Sequence, residues 1–440
     1  MREFFPLRGT VRARLLTCVG VIALAGAFVV RPSLDAQGAR RSEHWVGTWA
    51  TAVVSSDDRL PPLRRPLTGT GGRSGQAQPL PPLQNVHDQT LREIVHTSIG
   101  GSQVRVVLSN TFGMTPLTIG AAHIAGRAEG ADITPGRPIL FGGRTTITIP
   151  VGAPVVSDPV DLSIGAFTDV AVDIYVPGDT TGSLLTQHGG ALQTSYVSEA
   201  GNHSGEAHFP LARTVSSWHF LSRLEVLAPA DVSAIATLGD SITDGTASTP
   251  NMNRRWPNEL ARRLAAAHIP RAVLNLGIGG NRLLTDRLGV NALARFDRDV
   301  LAQSGVTDVI VLEGINDIGL AFDDVSPTAA EVIGAHQQLI ARAHAHGLKI
   351  YGATLTPFDG AFYATPAGEA KRREVNTWIR TSAAYDGVID FEKAVRDPQQ
   401  PIRMAVGFDP GDHLHFNDAG YRAMAEAIDL NLFRQRAESR

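Results

Sequence analysis

The sequence predicts two domains of different class. An all-β domain, sandwich-like or jelly-roll-like, spans residues 40–230. A three-layer α/β/α domain, with helices on both faces of a parallel sheet, spans residues 232–440. Period-two alternation dominates up to about residue 230. Strands alternate with helical patterns after it. The length of 440 residues also exceeds one ordinary domain.

Residues 1–38 precede both domains. Arg2, Arg8, Arg12 and Arg14 are followed by an apolar run from Leu15 to Val30, then by Ala36-Gln37-Gly38-Ala39. A basic start, an apolar middle and a small-residue end describe a secretory signal peptide, with cleavage expected after about Gly38. An uncleaved anchor is the alternative, but the run falls short of the ~18 apolar residues of a spanning helix. The expectation is a secreted or periplasmic protein with no stable membrane insertion after cleavage. The only cysteine, Cys18, lies inside the apolar run, so the mature chain has no disulfide, no thiolate zinc site and no thiol catalysis.

In the β domain, "QVRVVLSN" (Gln103 to Asn110), "RTTITIPV" and "DVAVDIYV" alternate apolar and polar residues between Gly, Pro, Asn and Asp turns. Residues 59–84 are rich in Pro, Gly and Arg and read as a loop or insertion. In the α/β domain, strand-like runs occupy 234–238, 272–277, 308–314, 349–355 and 387–391. Between them "PNELARRLAAAH", "TAAEVIGAHQQLIARAHAHG" and "EAKRREVNTWIRTSA" carry helical periodicity, and "DAGYRAMAEAIDLNLF" closes the set. Hydrophobic content of 43% allows sizeable cores, and a net charge of −3 with no basic stripe excludes a nucleic-acid footprint.

Ligands of a parallel α/β sheet sit at the carboxyl ends of the strands. The segments following the strands here are Gly239-Asp240-Ser241, "GIGGN" (Gly277 to Asn281), "EGINDIG" (Glu313 to Gly319) and, before the last helix, "DPGDHLHFNDAG" (Asp409 to Gly420). Turn chemistry explains Gly, Asp and Asn in any one of these. It does not explain Ser, Gly, Asn, Asp and His gathered at one sheet edge. Acyl transfer does. A serine needs a base to take its proton, and the base needs a carboxylate to hold its tautomer. Asp412 and His415 are three apart and would share a face on one helical turn. The Ser241 and Gly280 N–H groups and the Asn316 amide supply oxyanion donors.

The blocks "GDSITDG", "GIGGN", "GIND" and "DHLH" resemble, in order, the four sequence blocks of the SGNH (GDSL-type) hydrolase family over about residues 232–440. The resemblance implies a flavodoxin-like fold and metal-independent ester hydrolysis. It implies Ser241 as nucleophile, Gly280 and Asn316 in the oxyanion hole, and Asp412 and His415 completing the triad, with no cofactor and no metal. Gly279 is the alternative block-two donor. The segment "TLREIVHTSIGGSQVRVVLSNTFG" resembles the β domain that precedes some secreted bacterial members.

Competing uses of single residues are open to the sequence. His413 and His415, with Asp409 and Asp412, form a possible metal set, but the triad already uses two of them. Asp244 competes with Asp412 as triad acid, or caps the helix that begins at Ser241. Asp317 fixes its loop by local hydrogen bonds. Trp45, Trp49 and Trp218 form either a sugar-stacking face or β core, core being the commoner use. His336, His344 and His346 are expected on a helix, partly solvated.

The resulting expectation is a serine esterase acting on short acyl esters, small-molecule or polysaccharide, with acetyl groups on carbohydrates the favoured target. The alternatives are a lipase or arylesterase, and a carbohydrate-binding or adhesion protein on an inactive scaffold. Oligomeric state is not legible in the sequence.

Overall fold

The computed structural model describes residues 42–57, 82–320 and 326–434. The expected signal segment and most of the Pro/Gly/Arg-rich stretch lie outside the described residues.

The first portion is built of antiparallel sheets. One has the order Glu43–Ala50, Leu221–Pro229, Val104–Ser109, Pro154–Val156. A six-stranded sheet centres on His87–His96 and Asp169–Asp179, paired from Asp169↔His96 to Val176↔Gln89. "RTTITIPV" contributes only Ile147–Ile149. A three-stranded sheet joins Trp218–His219, Thr186–His188 and Val54–Ser55.

The second portion is a five-stranded parallel sheet in the order Arg271–Gly277, Ser233–Gly239, Val306–Leu312, Lys349–Ala353, Gly387–Ile389. All seven residues of the Ser233–Gly239 strand, second in the sheet, are buried, as expected for an interior strand covered on both faces. Helices Trp256–Ala266, Ala329–Ala345, Pro366–Thr381 and Asp418–Glu426 follow the periodic segments of the sequence. Thr328 and Glu331 close a capping box at the start of Ala329–Ala345. The short helix Ala292–Phe296, with a π-turn over Asp297–Leu301, has no counterpart in the sequence reading. His336 corrects it as well, because it is fully buried and its Nδ1 bonds the Tyr385 hydroxyl at 2.6 Å. Val332, Leu339 and Ile340, at i−4, i+3 and i+4, are buried, and His336 lies on the same helix face.

One hydrophobic core runs through both portions, from Val46 and Trp49 to Leu274 and Leu276. The Gly47 N–H donates to the Ser304 carbonyl at 2.9 Å, and the Val273 N–H donates to Ser98 Oγ at 3.2 Å. Trp49 and Trp218 are buried in an edge-to-face pair 4.9 Å apart, which makes them core rather than a sugar-stacking face.

Candidate active site

Register places the loops of the site side by side. Gly239 pairs with Gly277 on one side and with Leu312 on the other, so three strands end level. Gly239 has to be glycine because an added Cβ would lie 2.1 Å from Thr243 Oγ1 and 2.6 Å from the Leu312 carbonyl oxygen. The chain then turns at once into the four-residue helix Ser241–Asp244. Asp240 is its N-cap, with the side chain accepting the Ile242 N–H at 2.9 Å. Gly245, at φ 96°, ends the helix in the left-handed conformation, and its N–H returns to the Ser241 carbonyl. Ser241 is thereby held at the first helical position, where the backbone N–H has no partner within the helix.

His415 and Asp412 meet Ser241 from the far end of the chain. His415 Nε2 lies 2.8 Å from Ser241 Oγ, and His415 Nδ1 lies 2.7 Å from Asp412 Oδ2. They do not share a helical turn. Asp412 Oδ1 accepts the N–H groups of Leu414 (3.0 Å) and His415 (2.9 Å), which folds D-x-x-H into a side-chain-to-backbone turn. Burial pushes the Asp412 carboxyl up. The hydrogen bond and charge of His415, with these two N–H groups, outweigh it and hold the carboxyl well below its ordinary value. The ionised carboxylate accepts from Nδ1–H, which leaves Nε2 of the neutral ring to accept from the serine hydroxyl.

Asn316 sits in a second short helix, Ile315–Gly319, and is buried. Its Nδ2 donates to the Asn281 carbonyl at 3.0 Å, and its Oδ1 accepts from the Tyr363 hydroxyl at 3.3 Å. Of the two candidate glycines, Gly280 is the one whose backbone demands glycine. It has φ +75°, and a Cβ there would lie 2.1 Å from Leu288 Cδ1, whereas at Gly279 it would meet nothing within 4 Å.

Beneath these loops lies a buried set of charges that the sequence reading did not assemble. Arg295 is 1% exposed. It donates to Asn281 Oδ1 (2.9 Å) and to the carbonyls of Leu276 (2.8 Å) and Gly239 (3.0 Å), tying two strand ends to the Asn281 loop. The only signal in the sequence is an arginine inside the otherwise apolar "ALARF". Asp317 bonds across loops rather than within its own, accepting Leu283 N–H at 2.8 Å and Leu284 N–H at 3.1 Å. Burial lifts Asp317 to about 6 against those two bonds. Burial also lifts Asp240 to about 7, and carries Glu313 well above its ordinary value.

Asp244 is neither triad acid nor cap. It ends the Ser241–Asp244 helix and is paired with His188 at 3.0 Å. His413 is half-exposed and bonded to Asp409. Among the described residues no group of three or more His, Cys, Asp or Glu side chains is arranged to hold a metal ion.

Residues 237–423 match the family model for GDSL-like lipases and acylhydrolases. This portion of the chain belongs to that family. The GDSL-like portion is therefore an ester hydrolase, and its parallel sheet is the SGNH fold. Similar solved structures include the acetyl xylan esterase AlAXEase (19% identity, TM-score 0.35, 44% of this chain and 96% of that one). An aryl esterase of M. smegmatis has 17% identity, TM-score 0.37, and covers 44% and 96%. A carbohydrate acetylesterase family member from Sinorhizobium meliloti has 17% identity, TM-score 0.36, and covers 44% and 95%. Comparison with curated proteins returns no match. No described helix is long and apolar enough to cross a membrane.

Proposed function

We propose that this acylhydrolase is a secreted serine esterase that cleaves short acyl esters, acetyl groups on carbohydrates foremost, through an acyl-enzyme. The observation that carries the reading is the continuous hydrogen-bond chain from Asp412 through His415 to Ser241 Oγ. His415 Nε2 takes the serine proton as Oγ attacks the ester carbonyl. The carbonyl oxygen becomes an oxyanion facing the Ser241 and Gly280 N–H groups and the second N–H of Asn316 Nδ2. Asp412 stabilises the imidazolium, which then protonates the leaving alcohol. Water, deprotonated by the same ring, releases the acyl group and restores Ser241. No step needs a metal.

The absence of a long insertion in the sequence of residues 232–440 supports short acyl groups. The signal-like start and the β portion support an extracellular carbohydrate target. The test is turnover of p-nitrophenyl acetate by the wild type and by Ser241→Ala, followed by a chain-length series of esters and acetylated xylan. Turnover that survives in Ser241→Ala would sink the serine mechanism. Preference for long-chain or aryl esters over acetylated xylan would replace the carbohydrate reading by the lipase or arylesterase one. N-terminal sequencing of protein recovered from culture medium, expected to begin near Ala39, tests secretion.

A further inference from the structure

A buried side chain of the β portion, that of His188, bonds to the helix that carries Ser241. His188 ends the strand Thr186–His188 and is 3% exposed. Its Nδ1 lies 2.9 Å from the Ala52 carbonyl oxygen, and its Nε2 lies 3.0 Å from Asp244 Oδ1. A carbonyl only accepts, so Nδ1 carries a proton. The bond at Nε2 then exists only while a further proton sits between the ring and the carboxylate. Asp244 is 5% exposed, and its helix is a single turn long, three residues from Ser241 to Asp244.

The surroundings leave Asp244 no other place to go. Gly190 packs so close that a Cβ there would lie 2.4 Å from Asp244 Oδ2. Buried Arg255 stands beside it, with one guanidinium nitrogen donating to the Ala191 carbonyl and the plane 5.7 Å from the Trp218 ring. On the far side, Asn275 Nδ2 holds the Thr243 carbonyl at 2.8 Å, and the Tyr421 hydroxyl holds that of Thr246 at 2.6 Å. Strand, ring and carboxylate thus form a fixed strut from the β portion to the end of the nucleophile turn. Stability alone does not require it, since a buried charge pair is often replaceable by apolar residues at little cost.

We propose that His188 is a positioning residue for the ester hydrolysis: acting through Asp244, it fixes the orientation of the Ser241 helix. The β portion is then part of the catalytic machinery rather than an appended binding module. This rests on Ser241 being the nucleophile. A misplacement of about 1 Å in such a group costs on the order of 10²-fold in rate.

The experiment compares His188→Leu with His188→Gln in the full chain, measuring kcat and KM on p-nitrophenyl acetate, with circular dichroism and thermal melting on the same preparations. Gln retains a donor near the Nε2 position, and Leu does not. The expected result is a folded His188→Leu with kcat lowered by ~10–10²-fold at nearly unchanged KM, and a His188→Gln that recovers most of the loss. A folded His188→Leu with wild-type kcat overturns the proposal, as does an equal loss in both variants. If His188→Leu does not fold, Asp244→Ala against Asp244→Asn makes the same comparison from the other side. The Asn amide can donate to the neutral ring, so Asn near wild type with Ala impaired supports the strut, and equal kcat overturns it. Ser241→Ala in the same assay separates the two failures, because turnover there rejects the nucleophile reading itself.

Discussion

Asp317→Asn tests the electrostatics beneath the site quantitatively. The carboxyl of Asp317 titrates near its ordinary 3.8 when the chain is unfolded and at about 6 when folded, chiefly because it is buried. Between those values the folded state holds a proton that the unfolded state has lost, so stability falls as pH rises through the window. The difference corresponds to ~3 kcal/mol. Asparagine does not titrate and removes this loss. It keeps an acceptor for the Leu283 N–H but turns an amide donor toward the Leu284 N–H, which costs ~1–3 kcal/mol at every pH. Removing the Asp317 charge also relieves Asp240, which that charge helps to push up, and this acts in the same direction. The variant should therefore be less stable than the wild type at about pH 4 and should match or exceed it at about pH 7.5. Urea unfolding of both proteins across that range measures the gap. Other buried acids are common to both proteins, so their titration largely cancels in the comparison. A gap that does not change with pH would refute the account.

Two further outcomes concern the chemistry. Asn316→Ala removes the proposed side-chain oxyanion donor and should lower kcat by ~10²–10³-fold, with unfolding free energy changed far less; losses that track each other would make Asn316 a loop residue. Asp412→Asn should lower kcat by ~10⁴-fold with Ser241 still in place, because the amide nitrogen forces the proton of His415 onto Nε2, where it blocks transfer from the serine; near-normal turnover would show that another group orients the ring.

Ser241, Asn316, Asp412 and His415 were legible because each lies in a short block next to a strand end, and strand ends follow from local periodicity. The parallel sheet was legible for the same reason. What escaped depends on partners distant in sequence. Asp244 looks like a helix cap until the strand bearing His188, 56 residues earlier, is folded against it. Arg295 takes its place only when its three nitrogens meet the Gly239, Leu276 and Asn281 oxygens, 56, 19 and 14 residues away. D-x-x-H has helical spacing, but the carboxylate satisfies two backbone donors better in a turn. The short Ile315–Gly319 helix hides in a loop-like string because Gly314, at φ 123°, starts it without a side-chain cap.

The bond between His415 and Ser241 spans 174 residues, and the Gly47–Ser304 bond spans more than half the chain. Contacts of such range form late, because loop closure must precede them. With Ser241 and His415 as the proposed nucleophile and base, hydrolysis reports that this long-range contact has formed. During refolding, secondary structure should return first, and ester turnover only when the segment around residues 409–417 docks. On the proposed mechanism, a nascent chain stays chemically silent until residues 409–417 have emerged and docked against the Ser241 helix.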